Sequence, residues 1–383
     1  MANVFFVPKF IVTGDEALKT SMDYMKDFGK KALIVTDDMM VKLGNVEKLT
    51  TELDAAGIAY TIYSGINSEP SHSMIDKGIK IYKENDCDFL IGIGGGSPMD
   101  SAKAIGAVVA NGGSICDYMG KKIEKELPPI VAIPTTAGTG SEATRVSIIT
   151  NTDSGVKMLL SDVKLLASLA VIDPVFTMTA PPAVTANTGV DALCHALESY
   201  TSKKAFPMSK LYSLEAIKKI YQHLEVVYKD GSNVASRRAM AEASLEAGIA
   251  FSNASVSIIH GMSRPIGALF HVPHGLSNAM LLKVCLPYIR EGAETELFEL
   301  SKAIGVYEGD SVKDGADAFV ATTNKLLDTL KIQTPADFGI NKDEFLAQIP
   351  KMAKDGLASG SPGNCKNVPS EEKVQELYKG LWD

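Results

Sequence analysis

Cysteine is scarce in this chain. Five thiols, Cys87, Cys116, Cys194, Cys285 and Cys365, are scattered over 383 residues with no C-x-x-C pair. That spacing excludes a disulfide framework and a cysteine-built zinc site, and it fits inert structural thiols in a reducing cytoplasm. Blocks of positive charge are missing too. With 38 Lys and Arg against 46 Asp and Glu the net charge is −8, which argues against a nucleic-acid backbone as the main partner. No apolar run approaches the ~18 residues of a membrane span. Residues Met1 to Gly14 show no charged, apolar and small-residue succession of a signal peptide. Neither membrane insertion nor export is therefore expected. What remains is ordinary globular composition, 45% apolar and 22% charged, which excludes disorder. At ~150 residues per domain, the length allows roughly two to three domains.

The first part of the chain alternates β-rich runs with helical patterns. Lys31–Thr36, Ala59–Tyr63, Phe89–Ile93, Ile130–Ile133 and Ala170–Ile172 read as strands. Asn45–Ala56 and Met74–Asn85 between them have helical apolar spacing. Continuous apolar strands alternating with helices predict a mostly parallel α/β sheet. Beyond Ala180-Pro181-Pro182 the texture is helical throughout: 184–200, 209–228, 236–252, 294–304, 311–330 and 342–354. The fold class expected is an α/β parallel-sheet domain over 1–180 and an all-α domain over 181–383. Ser359–Pro369, rich in Gly, Pro and Asn, reads as an exposed loop.

Two turns follow strands in the first part. In Gly92-Ile93-Gly94-Gly95-Gly96-Ser97-Pro98-Met99-Asp100, Ser97 is the expected N-cap, Pro98 the first helical residue, and Asp100 the partner in a capping box. Bare backbone at a helix N-terminus suits a pyrophosphate. The dinucleotide fingerprint is incomplete, because Ser97 stands where a third glycine belongs and no strand-ending acid follows about 20 residues later. Phosphate binding and a plain tight turn both remain open. The second turn, Pro134-Thr135-Thr136-Ala137-Gly138-Thr139-Gly140-Ser141-Glu142, offers hydroxyls to a ligand or simply starts a helix.

Of six histidines, His195 is the most informative, four residues after Asp191 on an expected helix, so both project from one face. Among apolar neighbours such a pair is costly unless something compensates it. His260, His271 and His274 fall within fifteen residues, with Pro273 expected to start a new helix. One carboxylate with imidazoles is a ligand set for Fe²⁺ or Zn²⁺. An Asp–His hydrogen bond with unrelated core histidines is the alternative.

Five motifs in order, Gly94 to Lys103, Pro134 to Glu142, Asp173-Pro174, Thr188 to Tyr200, and Pro273-His274-Gly275, closely resemble those of the iron-containing (group III) alcohol dehydrogenases. The likeness runs from Val4 to about Lys354. It implies a Rossmann-like dinucleotide-binding domain over 1–180 and a helical metal and catalytic domain over 181–383, as in dehydroquinate synthase-like architectures, with the active site in the cleft between them. The implied metal ligands are Asp191, His195, His260 and His274. His72 and His223 match no ligand position and are expected at the surface. Cofactor contacts carry over to Gly95, Gly96, Ser97 and Asp100, to Thr135, Thr136 and Ser141, and to Lys157. Asp37, near the adenosine ribose, favours NAD(H) by repelling a 2′-phosphate.

One position departs from the family pattern. Many members carry a second histidine four residues after the His260 equivalent, and here Arg264 occupies it. A guanidinium cannot serve as a neutral base. Arg264 is then a candidate for an anionic substrate group or for pairing with a protein acid, and His271 for the proton relay. The resemblance implies a cytoplasmic enzyme, a homodimer or higher homo-oligomer. It would pass hydride between NAD(H) and a small primary alcohol or aldehyde, a diol or an anionic semialdehyde included. The rivals are a glycerol-type polyol dehydrogenase, a dehydroquinate-synthase-like lyase and a non-catalytic nucleotide sensor.

Overall fold

A computed structural model describes residues 2–382, which fall into two compact units. The first spans Phe6–Ala180. Its elements are β1 (Phe10–Thr13), α1 (Ala17–Met25), β2 (Lys31–Val35), α2 (Asp38–Lys42), α3 (Asn45–Ala56), β3 (Ala59–Tyr63), α4 (His72–Glu84), β4 (Phe89–Gly94), α5 (Gly96–Asn111), β5 (Ile130–Pro134), β6 (Val146–Asn151), β7 (Val156–Ser161) and β8 (Leu169–Ile172). Six strands form one sheet in the order β1-β8-β5-β4-β2-β3, and every pairing is parallel.

Strand alternation builds two cores, one on each face of the sheet. Leu33, Val35 and Leu90 pack with Ile75, Ile79 and Ile105 on one side. Ala32, Ile34, Ile91 and Ile133 pack with Met22, Leu49 and Leu53 on the other. After β3 the chain returns to the far side of β2, so the connections diverge between β2 and β4. Ligands of such sheets bind beyond the carboxyl ends of strands at this switch. The Gly94 turn leaves β4 there, and Asp37 follows β2 beside it.

Two features were not expected from the sequence. β1 is a four-residue edge strand, too short to leave a pattern. β6 and β7 form a separate antiparallel hairpin that buries Ile149, Met158 and Leu160 and exposes Ile148 and Leu159.

The second unit begins at Pro181 and takes in the N-terminal residues up to Phe5, whose ring stacks on Tyr212 at 5.6 Å. It is built from helices α6 (Pro182–Thr201), α7 (Pro207–Lys229), α8 (Val234–Ala254), α9 (Ile258–Phe270), α10 (His274–Gly292), α11 (Glu294–Ala303), α12 (Val312–Thr329), α13 (Lys342–Ala358) and α14 (Glu371–Lys379). The expected exposed loop at 359–369 needs correction. Ser361, Pro362, Asn364 and Cys365 within it are buried. Asn364 Nδ2 donates to Ser255 Oγ at 3.0 Å and to Val256 O at 2.9 Å, stapling the α8–α9 turn where Ser255 holds a left-handed φ of 67°. His72 and His223 are half-buried rather than on the open surface: His72 Nδ1 accepts from Thr152 N, and His223 Nδ1 pairs with Ser236 Oγ. No described helix is long and apolar enough to cross a membrane.

Candidate metal and cofactor sites

Helix α6 carries Asp191, His195 and Glu198 at i, i+4 and i+7, a single stripe on one face. All three are buried, among Ala192, Leu193, Cys194, Ala196 and Leu197. His260 comes from α9 and His274 from the start of α10. One ligand-type atom from each of Asp191, His195, His260 and His274 lies within 4.8 Å of the others. Asp191 Oδ1 is 3.6 Å from His260 Nε2 and 4.0 Å from both His195 Nδ1 and His274 Nε2. Tetrahedral ligands at about 2.1 Å from one cation stand about 3.4 Å apart, so these spacings are close to a coordination shell.

Hydrogen bonding fixes the two outer imidazoles. Glu198 is fully buried; its Oε1 accepts from Ser257 Oγ at 2.9 Å and Ile259 N at 2.6 Å, and its Oε2 takes the Nδ1–H of His260. His260 Nε2 is thereby left as a lone pair facing the cluster. At His274, Ser277 Oγ donates to the His274 carbonyl and so accepts from Ser263 Oγ. Ser263 Oγ then accepts His274 Nδ1–H at 3.2 Å, again presenting Nε2 inward. His195 is stacked on Phe251 at 4.2 Å between ring centroids. Burial alone would depress the pKa of His260, but Glu198 and then Asp191 raise it to about 9, so the two carboxylates strongly favour positive charge at this point. Burial would raise Asp191, and the imidazoles outweigh it, holding the carboxyl well below the usual range.

Asn278 lies one turn after His274. Its Nδ2 is 2.6 Å from Asp191 Oδ1, 3.1 Å from His260 Nε2 and 3.2 Å from His274 Nε2, while its buried Oδ1 has no partner among the described residues. An amide nitrogen has two hydrogens and here faces three acceptors. An excess of converging lone pairs around one point is the electrostatic signature of a cation site, and the residues fit a divalent metal. Gly275 lets α10 come this close: a Cβ there would sit 3.0 Å from Asn187 O and 3.6 Å from the Asp191 Cβ.

Arg264 follows His260 by one turn of α9, half-buried, and His271 is exposed at the left-handed C-cap of the same helix. Burial lowers the Arg264 pKa, opposed by the charge of Glu198.

In the α/β unit, α5 starts two residues earlier than its sequence predicts. Gly95 is the N-cap, with no side-chain cap bond, and Ser97 lies inside the first turn. Asp100 closes no capping box. Its Oδ1 instead accepts from Ser141 Oγ at 2.6 Å and its Oδ2 from Ile148 N at 2.9 Å. The reason is glycine: Gly94 at φ 147° turns the chain so sharply that Gly96 already enters the helix. First-turn amides thus face the glycine turn uncapped. Thr135 N donates to Gly94 O at 2.9 Å, which sets the second turn beside the first. Among the described residues the buried hydroxyls of Thr135 and Thr136 have no partner, which suits a polar ligand. Asp37 caps α2 through Met40 N at 2.9 Å, and Lys157 on β7 is ion-paired with Glu69 at 2.7 Å.

Behind these turns lies a network the sequence reading missed. Lys103, fully buried on α5, donates to Ser141 O at 2.7 Å, Thr144 O at 3.0 Å and Val146 O at 2.9 Å. It ties the helix of the first turn to the segment after the second. Glu198 and Asn278 were missed likewise, although both share a helix face with a quoted ligand candidate.

A parallel-sheet α/β unit, a helical unit and an Asp–His₃ cluster buried but for His274 define a two-part metal-dependent enzyme architecture. The family profile described as iron-containing alcohol dehydrogenase matches residues 8–174, and that of the Fe-containing alcohol dehydrogenase family, C-terminal, matches 185–382. The chain belongs to the iron-containing alcohol dehydrogenase family. It is 34% identical over 381 residues to the 1,3-propanediol dehydrogenase of Citrobacter freundii, covering 98% of this chain and 97% of that one. The crystal structure of a 1,3-propanediol oxidoreductase superposes with a TM-score of 0.96 at 33% identity, covering all of both chains. The NAD⁺ complex of sulfoacetaldehyde reductase from Bifidobacterium kashiwanohense gives 0.90 at 27% identity, covering 100% of this chain and 99% of that one.

Proposed function

We propose that this enzyme transfers hydride reversibly between NAD(H) and the carbinol carbon of a small primary alcohol or diol, as a cytoplasmic homo-oligomer. The observation that carries the reading is the convergence of Asp191, His195, His260 and His274, the first three of them buried, on one point. They would hold a divalent cation, with Fe²⁺ first and Zn²⁺ second, which when bound supplies Lewis acidity for the alcohol or carbonyl oxygen. Glu198 keeps His260 in the tautomer that directs Nε2 inward, and Ser263 does the same for His274. The Gly94–Gly96 turn and the first amides of α5 would hold the cofactor pyrophosphate, with the free hydroxyls of Thr135 and Thr136 beside it. Asp37 at the end of β2 accepts from a ribose 2′-hydroxyl and repels a 2′-phosphate, favouring NAD(H) over NADP(H). Support for the substrate class comes from relatives whose names specify propanediol, and for NAD from a neighbour solved with it.

The test is NADH consumption by protein loaded with Fe²⁺ or Zn²⁺, using 3-hydroxypropionaldehyde, butyraldehyde, acetaldehyde and lactaldehyde with and without chelator. Chelator-sensitive turnover is the expected result. Turnover that survives complete metal removal would defeat the metal role, and no turnover by protein that binds both metal and NADH would defeat the oxidoreductase reading.

A further inference from the structure

Arg264 carries a permanent charge. It is half-buried on α9, and among the described residues it makes no ion pair or hydrogen bond. Its place is beside the four-donor cluster: it follows His260 by four residues on the same helix face, and it adjoins Ser263, which bonds to His274. Glu198, the carboxylate behind His260, is the acid whose charge it feels. Glu198 is already committed, with Oε1 held by Ser257 and Ile259 and Oε2 by His260.

Charge bookkeeping then singles Arg264 out. With a divalent cation bound, the carboxylates of Asp191 and Glu198 would together balance it, and the histidines would hold it as neutral rings. The guanidinium charge is left over. A partly desolvated cation without a partner is unfavourable, and five donors in a fixed fork are best met by a carboxylate or a similar planar or tetrahedral anion. The other occupant such a fork could serve is the cofactor, which also carries acidic groups.

We propose that Arg264 forms an anion-binding subsite next to the metal cluster, selecting alcohols and aldehydes that carry an acidic group at the end remote from the reacting carbon. The substrate class is then the ω-carboxylated or similarly acidic aldehyde and its hydroxy acid. This inference rests on the hydride-transfer reading and narrows it.

Two measurements test it, and one of them needs no turnover. The first is the ratio of kcat/KM for succinic semialdehyde to that for butyraldehyde, a pair with the same carbon count, in wild type, Arg264→Met and Arg264→Lys. A ratio cancels any general loss from the substitution. The wild-type ratio is expected above about 10, falling roughly 30-fold in Arg264→Met, chiefly through KM of the acidic aldehyde, with partial recovery in Arg264→Lys. The second is calorimetric binding of succinate, a non-reacting dianion, expected to weaken at least about 10-fold in Arg264→Met. A ratio and a succinate affinity both unchanged by Arg264→Met would overturn the subsite while leaving the hydride-transfer reading intact. A rise in KM for NADH with an unchanged aldehyde ratio would overturn it too, by assigning the guanidinium to the cofactor. If neither aldehyde turns over but succinate binding depends on Arg264, the anion subsite stands and the redox reading is what fails.

Discussion

Asp191 sits fully buried among apolar side chains, and its charge is tolerable only because three imidazoles and the Asn278 amide converge on it. The quality of that arrangement depends on residues one layer back. Glu198→Gln keeps the shape but removes the carboxylate that takes the Nδ1–H of His260. A tenfold to about 100-fold loss of metal affinity is expected, measured by competition with a chromogenic chelator. Unchanged affinity would mean that the ring is oriented by packing alone. Of this site, the Asp191–His195 pair was legible from its spacing, because four residues is one helical turn. His260 and His274 were legible as candidates from their clustering with His271, but family resemblance alone selected them over His271, since nothing local ties residues on separate helices together. Glu198 and Asn278 were invisible as functional groups for another reason. A buried Glu or Asn acquires its meaning from the atom it faces, and spacing does not reveal that atom.

Helix placement decides whether those side chains meet. α10 approaches α6 across Gly275, with a would-be Cβ 3.0 Å from Asn187 O. Gly275→Ala should push the N-terminus of α10 outward and carry His274 with it. Such overpacking typically costs ~1–3 kcal/mol, and here metal content after dialysis should fall more sharply than the melting temperature. On the α/β side, α5 is bound to the following segment through Lys103, with Glu142 buried nearby. Among the described residues no other one hydrogen-bonds either oxygen of Glu142. Burial raises its pKa to about 7, its own backbone and Lys103 opposing. Since the folded state holds this proton more tightly than the unfolded chain, stability contributed here is present at low pH and is lost as pH rises through 7. Glu142→Gln has no proton to lose, so it should be stabilised relative to wild type at pH 8, with the advantage shrinking towards pH 5. Urea unfolding at the two pH values measures this, and a pH-independent difference would show that Glu142 does not titrate in that window. Burial works on Lys103 in the opposite sense, lowering it to about 8 against the attraction of Asp100 and Glu142.

For the molecule as a whole, ligand binding should be felt unit by unit. A cation held by Asp191, His195, His260 and His274 links α6, α9 and α10, and at 100 times its dissociation constant it stabilises their folded state by ~2.7 kcal/mol. Hydrogen exchange with and without added Zn²⁺ should therefore show new protection concentrated in those three helices. Uniform protection across the chain, or none, would contradict ligation at this cluster. The sequence by itself determined the parallel α/β half, the helical half, the change of texture near Pro182 and most helix positions, because these follow from apolar periodicity and breakers that act over a few residues. Tertiary structure alone decided the edge strand β1, the β6–β7 hairpin, the burial of Ser361, Pro362, Asn364 and Cys365, and the start of α5 at Gly96. It also brought Glu198 to His260, Asn278 into the cluster and Lys103 under the second turn. Each of these depends on which distant backbone or side chain supplies the partner for a buried polar group, a pairing set by packing across the fold.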